Sequence, residues 1–160
     1  MEDKFVTDKE AIIIIDNKSF KLGMVFCFAE MVASGVKKIA LSPPLSPEEY
    51  NDINNKLEQI VNRFGIYSYL EKSILITELF TKENIQNIFG NIIEEDKTHD
   101  IWVIMYYKNK KFLEEYLVLK EKQRDLITAR CYNKEAKHMI ALEFGRLLSY
   151  PDDVILEMIS

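Results

Sequence analysis

The apolar positions of this chain come in blocks whose period changes along the sequence, and the period names the element. Ala11, Ile12, Ile13, Ile14 and Ile15 form an unbroken, largely β-branched run that stops at Asp16 and Asn17. Such a run predicts a central strand buried on both faces. Residues 36–41 predict a second strand and 101–106 a last one. Residues 66–70 and 73–77 predict two adjacent strands joined by a tight turn at Glu71 and Lys72. Elsewhere the period lengthens. Ser46, Pro47 and Glu49 supply an N-cap, a first-turn proline and a capping box. Tyr50, Ile53, Leu57, Ile60, Val61 and Phe64 follow at helical spacing, up to Gly65. Thr81 caps a shorter helical pattern through Ile93. From Lys110 onward the chain reads as helix: a long element with an optional break near Arg124, a second capped by Asn133, and a short third opened by Pro151.

One segment, 19–34, fits two periods. As a helix it places Phe20, Met24, Cys27 and Met31 on one face and Leu22, Val25, Ala29 and Val32 on a second, with Gly35 as a left-handed cap. As a strand it aligns Phe20, Leu22, Met24, Phe26 and Phe28 on one side. Its length and the closing glycine favour the helix.

The resulting order, β-α-β-α-β-β-α-β followed by helices, predicts an α/β (or α+β) fold. The expectation is a single mixed sheet of about five strands covered by helices, with a helical C-terminal third. No linker, internal repeat or low-complexity tract divides residues 1–160, so one domain is expected, with the charged residues 1–10 loosely ordered.

Composition adds the surroundings. Apolar residues are 48% of the 160 and charged residues 29%, a globular balance. A chain of this length buries roughly two-thirds of its unfolded surface and needs no disulfide or metal to fold. Cys27 and Cys131 belong to no C-x-x-C pair and read as reduced, buried cysteines of a cytoplasmic protein. The most apolar segment, 22–33, contains Glu30 and falls short of the about 20 residues a membrane span requires. No membrane partner is expected. The net charge of -5 disfavours nucleic acid, because phosphate contacts dominate that affinity. The one dense basic stretch, Lys108, Lys110 and Lys111, runs straight into Glu114 and Glu115 and reads as a solvated turn and helix start.

Candidate chemistry is sparse. Gly23, Gly35, Gly65, Gly90 and Gly145 are isolated and form no phosphate-binding motif. His99 and His138 lie on different elements and show no metal-ligand spacing, so neither cofactor nor metal is expected. His99 reads as a loop residue and His138 as a surface or boundary one. A pairing of Cys131 with His138 would need a third residue to orient it. The acids on apolar faces stand out instead: Glu30 in the hydrophobic segment and Glu143 between Ile140 and Leu147. A buried carboxylate requires a partner. Arg146 lies three residues after Glu143 and Tyr150 a turn later, which predicts a polar cluster of Glu143, Arg146 and Tyr150, with Glu30 as an added member. These four are the candidate ligand-binding residues, set against a plain structural ion pair tying the last helices down.

Residues 142–151 (Leu142, Glu143, Phe144, Gly145, Arg146, Leu147, Leu148, Ser149, Tyr150, Pro151) resemble the C-terminal signature of a prokaryotic protein family of unknown function. There a helix carrying Glu-x-Gly-Arg-Leu-Leu leads into Gly-Tyr-Pro. Residues 75–80 are similar to another stretch of the same family. Ser149 stands where that family carries glycine, and Asp152 and Asp153 stand in place of cysteines. The resemblance implies a cytoplasmic prokaryotic protein and brings no catalytic residues with it.

The leading expectation is a small binding or interaction protein that self-associates as a homodimer rather than an enzyme. Its motive is apolar surplus: segment 20–33 with Tyr67, Tyr69, Trp102, Tyr106 and Tyr107 exceeds what one sheet face needs. The rival is a small enzyme or metabolite sensor with a small-molecule pocket at strand ends, near residues 42–45 and 77–80.

Overall fold

A computed structural model describes residues 16–79 and 102–160. The run at 11–15, the helical pattern at 81–93 and His99 lie outside the described residues. Segment 19–34 is helical. Asp16 starts helix α1 (Asn17–Ala33) by accepting the Ser19 amide at 2.8 Å, and hydrogen bonding to Ser19 holds its carboxyl below the usual range. The face with Val25, Ala29 and Val32 is the buried one. On the other face Phe20 and Met24 are half-buried while Cys27 and Met31 are exposed, so Cys27 is exposed rather than buried. Helix α2 (Pro47–Phe64) opens on the expected capping box of Ser46 and Glu49 and closes on Gly65 at φ 62°.

Three strands are present among the described residues, rather than about five: β1 (Ile39–Leu41), β2 (Tyr67–Glu71) and β3 (Val103–Tyr107). The order is β1-β3-β2, and β3 runs antiparallel to both neighbours, so among the described residues the sheet is antiparallel rather than mixed. β1 and β2, joined through α2, are therefore parallel to each other, and β3 fills the gap between them. Ile39 and Tyr67 both face Tyr107 in the register, which brings the start of β1, the start of β2 and the end of β3 to one end of the sheet. Residues 73–77, expected as a hairpin strand, make no ladder. Their backbone groups bond to side chains instead.

All five residues of β3 are buried, as a continuous apolar run demands. Ile104 and Tyr106 face a core shared with Val25, Ala29, Ile53, Leu57 and Val61 of α1 and α2. Val103, Met105 and Tyr107 face a second core with Tyr116, Leu119, Ile140, Phe144 and Leu147. The latter residues belong to α3 (Lys110–Thr128), which continues unbroken past Arg124, and to α4 (Lys134–Leu147). The sheet is thus sandwiched, and Tyr106 and Tyr107 are absorbed by having two covered faces. Cys131, just beyond α3, is exposed and not buried as expected. The last helix, α5 (Asp152–Ile159), packs on α4 at Gly145, where a Cβ would lie 2.6 Å from Ile155 Cδ1.

Candidate functional site

The four residues expected to converge have separate partners. Glu30 is exposed on α1, across the sheet from α4. Glu143 is half-buried and accepts Lys122 Nζ at 3.1 Å, which ties α4 to α3. Arg146 turns the other way and forks onto Asp152 through Nε at 2.8 Å and Nη2 at 2.6 Å. That fork holds the Asp152 carboxyl below its usual range and raises the guanidinium, with a smaller push from the Glu143 charge. Tyr150 is half-buried, with Lys37 Nζ 5.1 Å from its ring centroid. Glu143, Arg146 and Tyr150 therefore lie on or just after one helix and tie it to three different neighbours. His138 Nε2 stands 3.2 Å from Glu78 Oε2.

The polar centre of the described residues lies elsewhere, at Glu71, which is only 3% exposed. It sits on the strand face that also carries Tyr69, pointing at α3. Its Oε2 accepts the Tyr116 hydroxyl at 2.9 Å, and its Oε1 accepts Lys120 Nζ at 2.9 Å and the Ser73 amide at 2.8 Å. The Tyr116 oxygen in turn accepts the Leu75 amide at 3.1 Å. Lys120 Nζ also donates to the Ser73 carbonyl, and Gln123 Nε2 donates to the Ile76 carbonyl and the Tyr132 hydroxyl, both at 2.7 Å. Tyr116, Lys120 and Gln123 stand at i, i+4 and i+7, one stripe of α3. That stripe binds the backbone of residues 73–76 in place of a neighbouring strand. Burial pushes the Tyr116 hydroxyl well above the usual phenol range, and the Glu71 charge adds to it. Glu71 is expected in a turn; extending the strand by one residue, so that Tyr67, Tyr69 and Glu71 share a face, and the periodic stripe on α3 are the signals that could have found this centre. Neither element shows alone that the two meet.

The α1/α2 side holds a second internal ion pair. Lys21 is 2% exposed, and its Nζ donates to Glu49 Oε1 at 2.5 Å while Glu49 Oε2 caps α2 through the Ser46 amide. Residues 42–45, expected to border a pocket, are themselves buried. The Ser42 hydroxyl accepts the Ile104 amide at 2.9 Å and donates to the Pro43 carbonyl at 2.8 Å. Tyr106 has a buried hydroxyl with no hydrogen-bond partner among the described residues, and burial drives it well above the phenol range.

Both polar centres are saturated inward. Among the described residues, one surface feature open to a partner is the outer side of α3. Leu117, Val118, Glu121, Lys122, Asp125, Leu126 and Ala129 follow at helical spacing and, with Cys131, border a groove of about 820 Å³. Val118 is 69% exposed at mid-helix, and Leu117 is exposed beside it. Among the described residues no three His, Cys, Asp or Glu side chains are placed to hold a metal ion, and no described helix is long and apolar enough to cross a membrane. No protein-family model, curated protein or solved structure matched the chain.

Proposed function

We propose that this chain is an interaction module whose first partner is a second copy of itself, docked through the outer face of α3. The observation that supports this reading is the apolar strip around Val118 on a helix of 19 residues, about 28 Å long. A long helix in a globular domain turns charge outward, whereas Leu117 and Val118 are exposed side by side at the edge of a groove, the kind of contiguous apolar surface a partner covers. The charges beside it are of both signs: Glu121 and Asp125 against Lys122. An antiparallel pairing about a two-fold axis at Val118 sets Val118 against its own copy, Lys122 against Glu114 and Asp125 against Lys111, so the surface complements itself. Lys122 then serves both its own Glu143 and the seam.

Light scattering over a concentration series tests the reading. A mass that rises from one chain to two supports it, and a single-chain mass up to high concentration counts against it.

A further inference from the structure

Five lysines from two distant stretches of sequence meet at one end of the molecule. The register Ile39↔Tyr107 sets Lys38, just before β1, beside Lys108, just after β3. α1 and α4 end at the same place. Lys108 Nζ donates to the Ala33 carbonyl at 2.9 Å and Lys37 Nζ to the Leu148 carbonyl at 3.0 Å. Lys110 Nζ stands 5.2 Å from the Tyr67 ring centroid, and Lys38 Nζ 6.0 Å from that of Phe112. Lys111 completes the group. No acidic residue occurs in 31–41, 61–70 or 102–113, three of the segments that build this end, and the fourth, the end of α4, meets its first acids at Asp152 and Asp153. Of the bordering acids, Glu115 already faces Lys111 and Asp152 faces Arg146, while Glu114 and Asp153 are exposed in the first turns of α3 and α5 and Glu30 stands one turn back on α1. The carbonyl bonds explain why Lys37 and Lys108 are held in place, but they neutralise no charge.

Apolar groups project from the same end. Val36 is 66% exposed at the tip of the α1–β1 loop, Tyr67 is 47% exposed beside Lys110, and Met31 is exposed in the last turn of α1.

We propose that this end docks on the surface of an anionic membrane. Lysines at the tips of loops are attracted to anionic headgroups, and the attraction is confined to charges within about 10 Å of the surface. The described residues carry 17 acids and 17 Lys or Arg, so with five lysines at this end the rest of them carry a net charge of -5, an asymmetry that orients the molecule with its lysines down. An exposed aliphatic tip and an aromatic ring among lysines suit the headgroup layer. A nucleic-acid strand would use the lysines and Tyr67 but has no place for Val36. Self-pairing through this end would set like charges together.

The test is co-sedimentation of the full chain with vesicles of phosphatidylcholine alone or of phosphatidylcholine with phosphatidylserine. The chain pellets with the anionic vesicles only, and is released at about 1 M salt, where the screening length is about 3 Å. Lys38→Glu with Lys110→Glu lowers the partition at least about tenfold, and Val36→Asp lowers it without touching a lysine. Lys134→Glu, at the other end of α4, leaves it unchanged. Melting curves establish that each variant is folded, and the lipid and salt dependence of the native chain stands without any variant. Absence of binding to the anionic vesicles overturns the proposal. So does tighter binding to a single-stranded oligonucleotide than to the vesicles.

Discussion

The Tyr116 hydroxyl donates to Glu71 Oε2 at 2.9 Å while accepting the Leu75 amide, so one phenol satisfies a buried carboxylate and a buried backbone group together. Tyr116→Phe leaves both short of a partner, and each orphaned buried group costs about 1–3 kcal/mol. The expected loss is roughly 3 kcal/mol, read by urea denaturation. Tyr106→Phe is the contrast. Its hydroxyl is equally buried and has no partner among the described residues, so removing it leaves stability unchanged or raises it by about 1 kcal/mol. Equal losses in the two variants would refute this assignment of the polar centre.

Gly145 is where α5 meets α4. An added Cβ lies 2.6 Å from Ile155 Cδ1, 2.7 Å from Cγ1 and 3.2 Å from Leu79 Cδ2, all in a packed cluster. Gly145→Ala is expected to cost about 1–3 kcal/mol by overpacking. Ile155→Ala in the same chain removes the clashing atoms, so thermal melts of the double variant should show a loss smaller than the sum of the two single losses. Simple additivity would mean that the contact does not limit this crossing.

Two helices end on non-glycine residues in the left-handed region: Arg130 at φ 57° after α3 and Ser149 at φ 68° after α4. Left-handed backbone costs an L-residue about 1–2 kcal/mol. Arg130→Gly should therefore stabilise by about 1 kcal/mol in chemical denaturation. Ser149→Gly should gain less, because the Ser149 hydroxyl accepts the Lys38 amide at 2.8 Å and that bond is lost. A larger gain at 149 than at 130 would contradict this accounting.

The Arg146–Asp152 fork makes the α4–α5 joint acid-sensitive. The fork lowers the Asp152 carboxyl from its ordinary value of 3.8. A group depressed in the folded state contributes stability that is present above its unfolded value and is lost as pH falls through the folded one. The joint is thus indifferent to pH near neutrality and weakens below about pH 3.8. In melts followed from neutral to strongly acid pH, Arg146→Gln should shrink the acid-side fall in melting temperature that Asp152 contributes. An unchanged fall would show that Asp152 takes no stabilisation from the fork.

Local chemistry was legible in the sequence, and meetings between distant segments were not. The capping box at Ser46, Asn133 as a cap and the helical C-terminal third all rest on neighbours in sequence, and each is present. Residues 73–77 have strand-like composition, yet Tyr116, Lys120 and Gln123, 41 to 47 residues away, take over their backbone bonds. Glu143 and Arg146 sit at pairing distance along one helix, but better acceptors and donors arrive from α3 and α5. The lysine-rich end was hidden in the same way, since a net charge averages over positions that the sheet register brings together.

Sedimentation equilibrium of the native chain beside Val118→Glu decides whether two copies dock through the outer face of α3. Val118 is 69% exposed, so the substitution should leave the melting temperature nearly unchanged while placing two new charges in the proposed seam. At about 1.4 kcal/mol per copy, the dimer should weaken roughly 100-fold. A native dimer that Val118→Glu converts to monomer is the predicted result. A native chain that sediments as a monomer throughout, or a dimer indifferent to Val118→Glu, would contradict it.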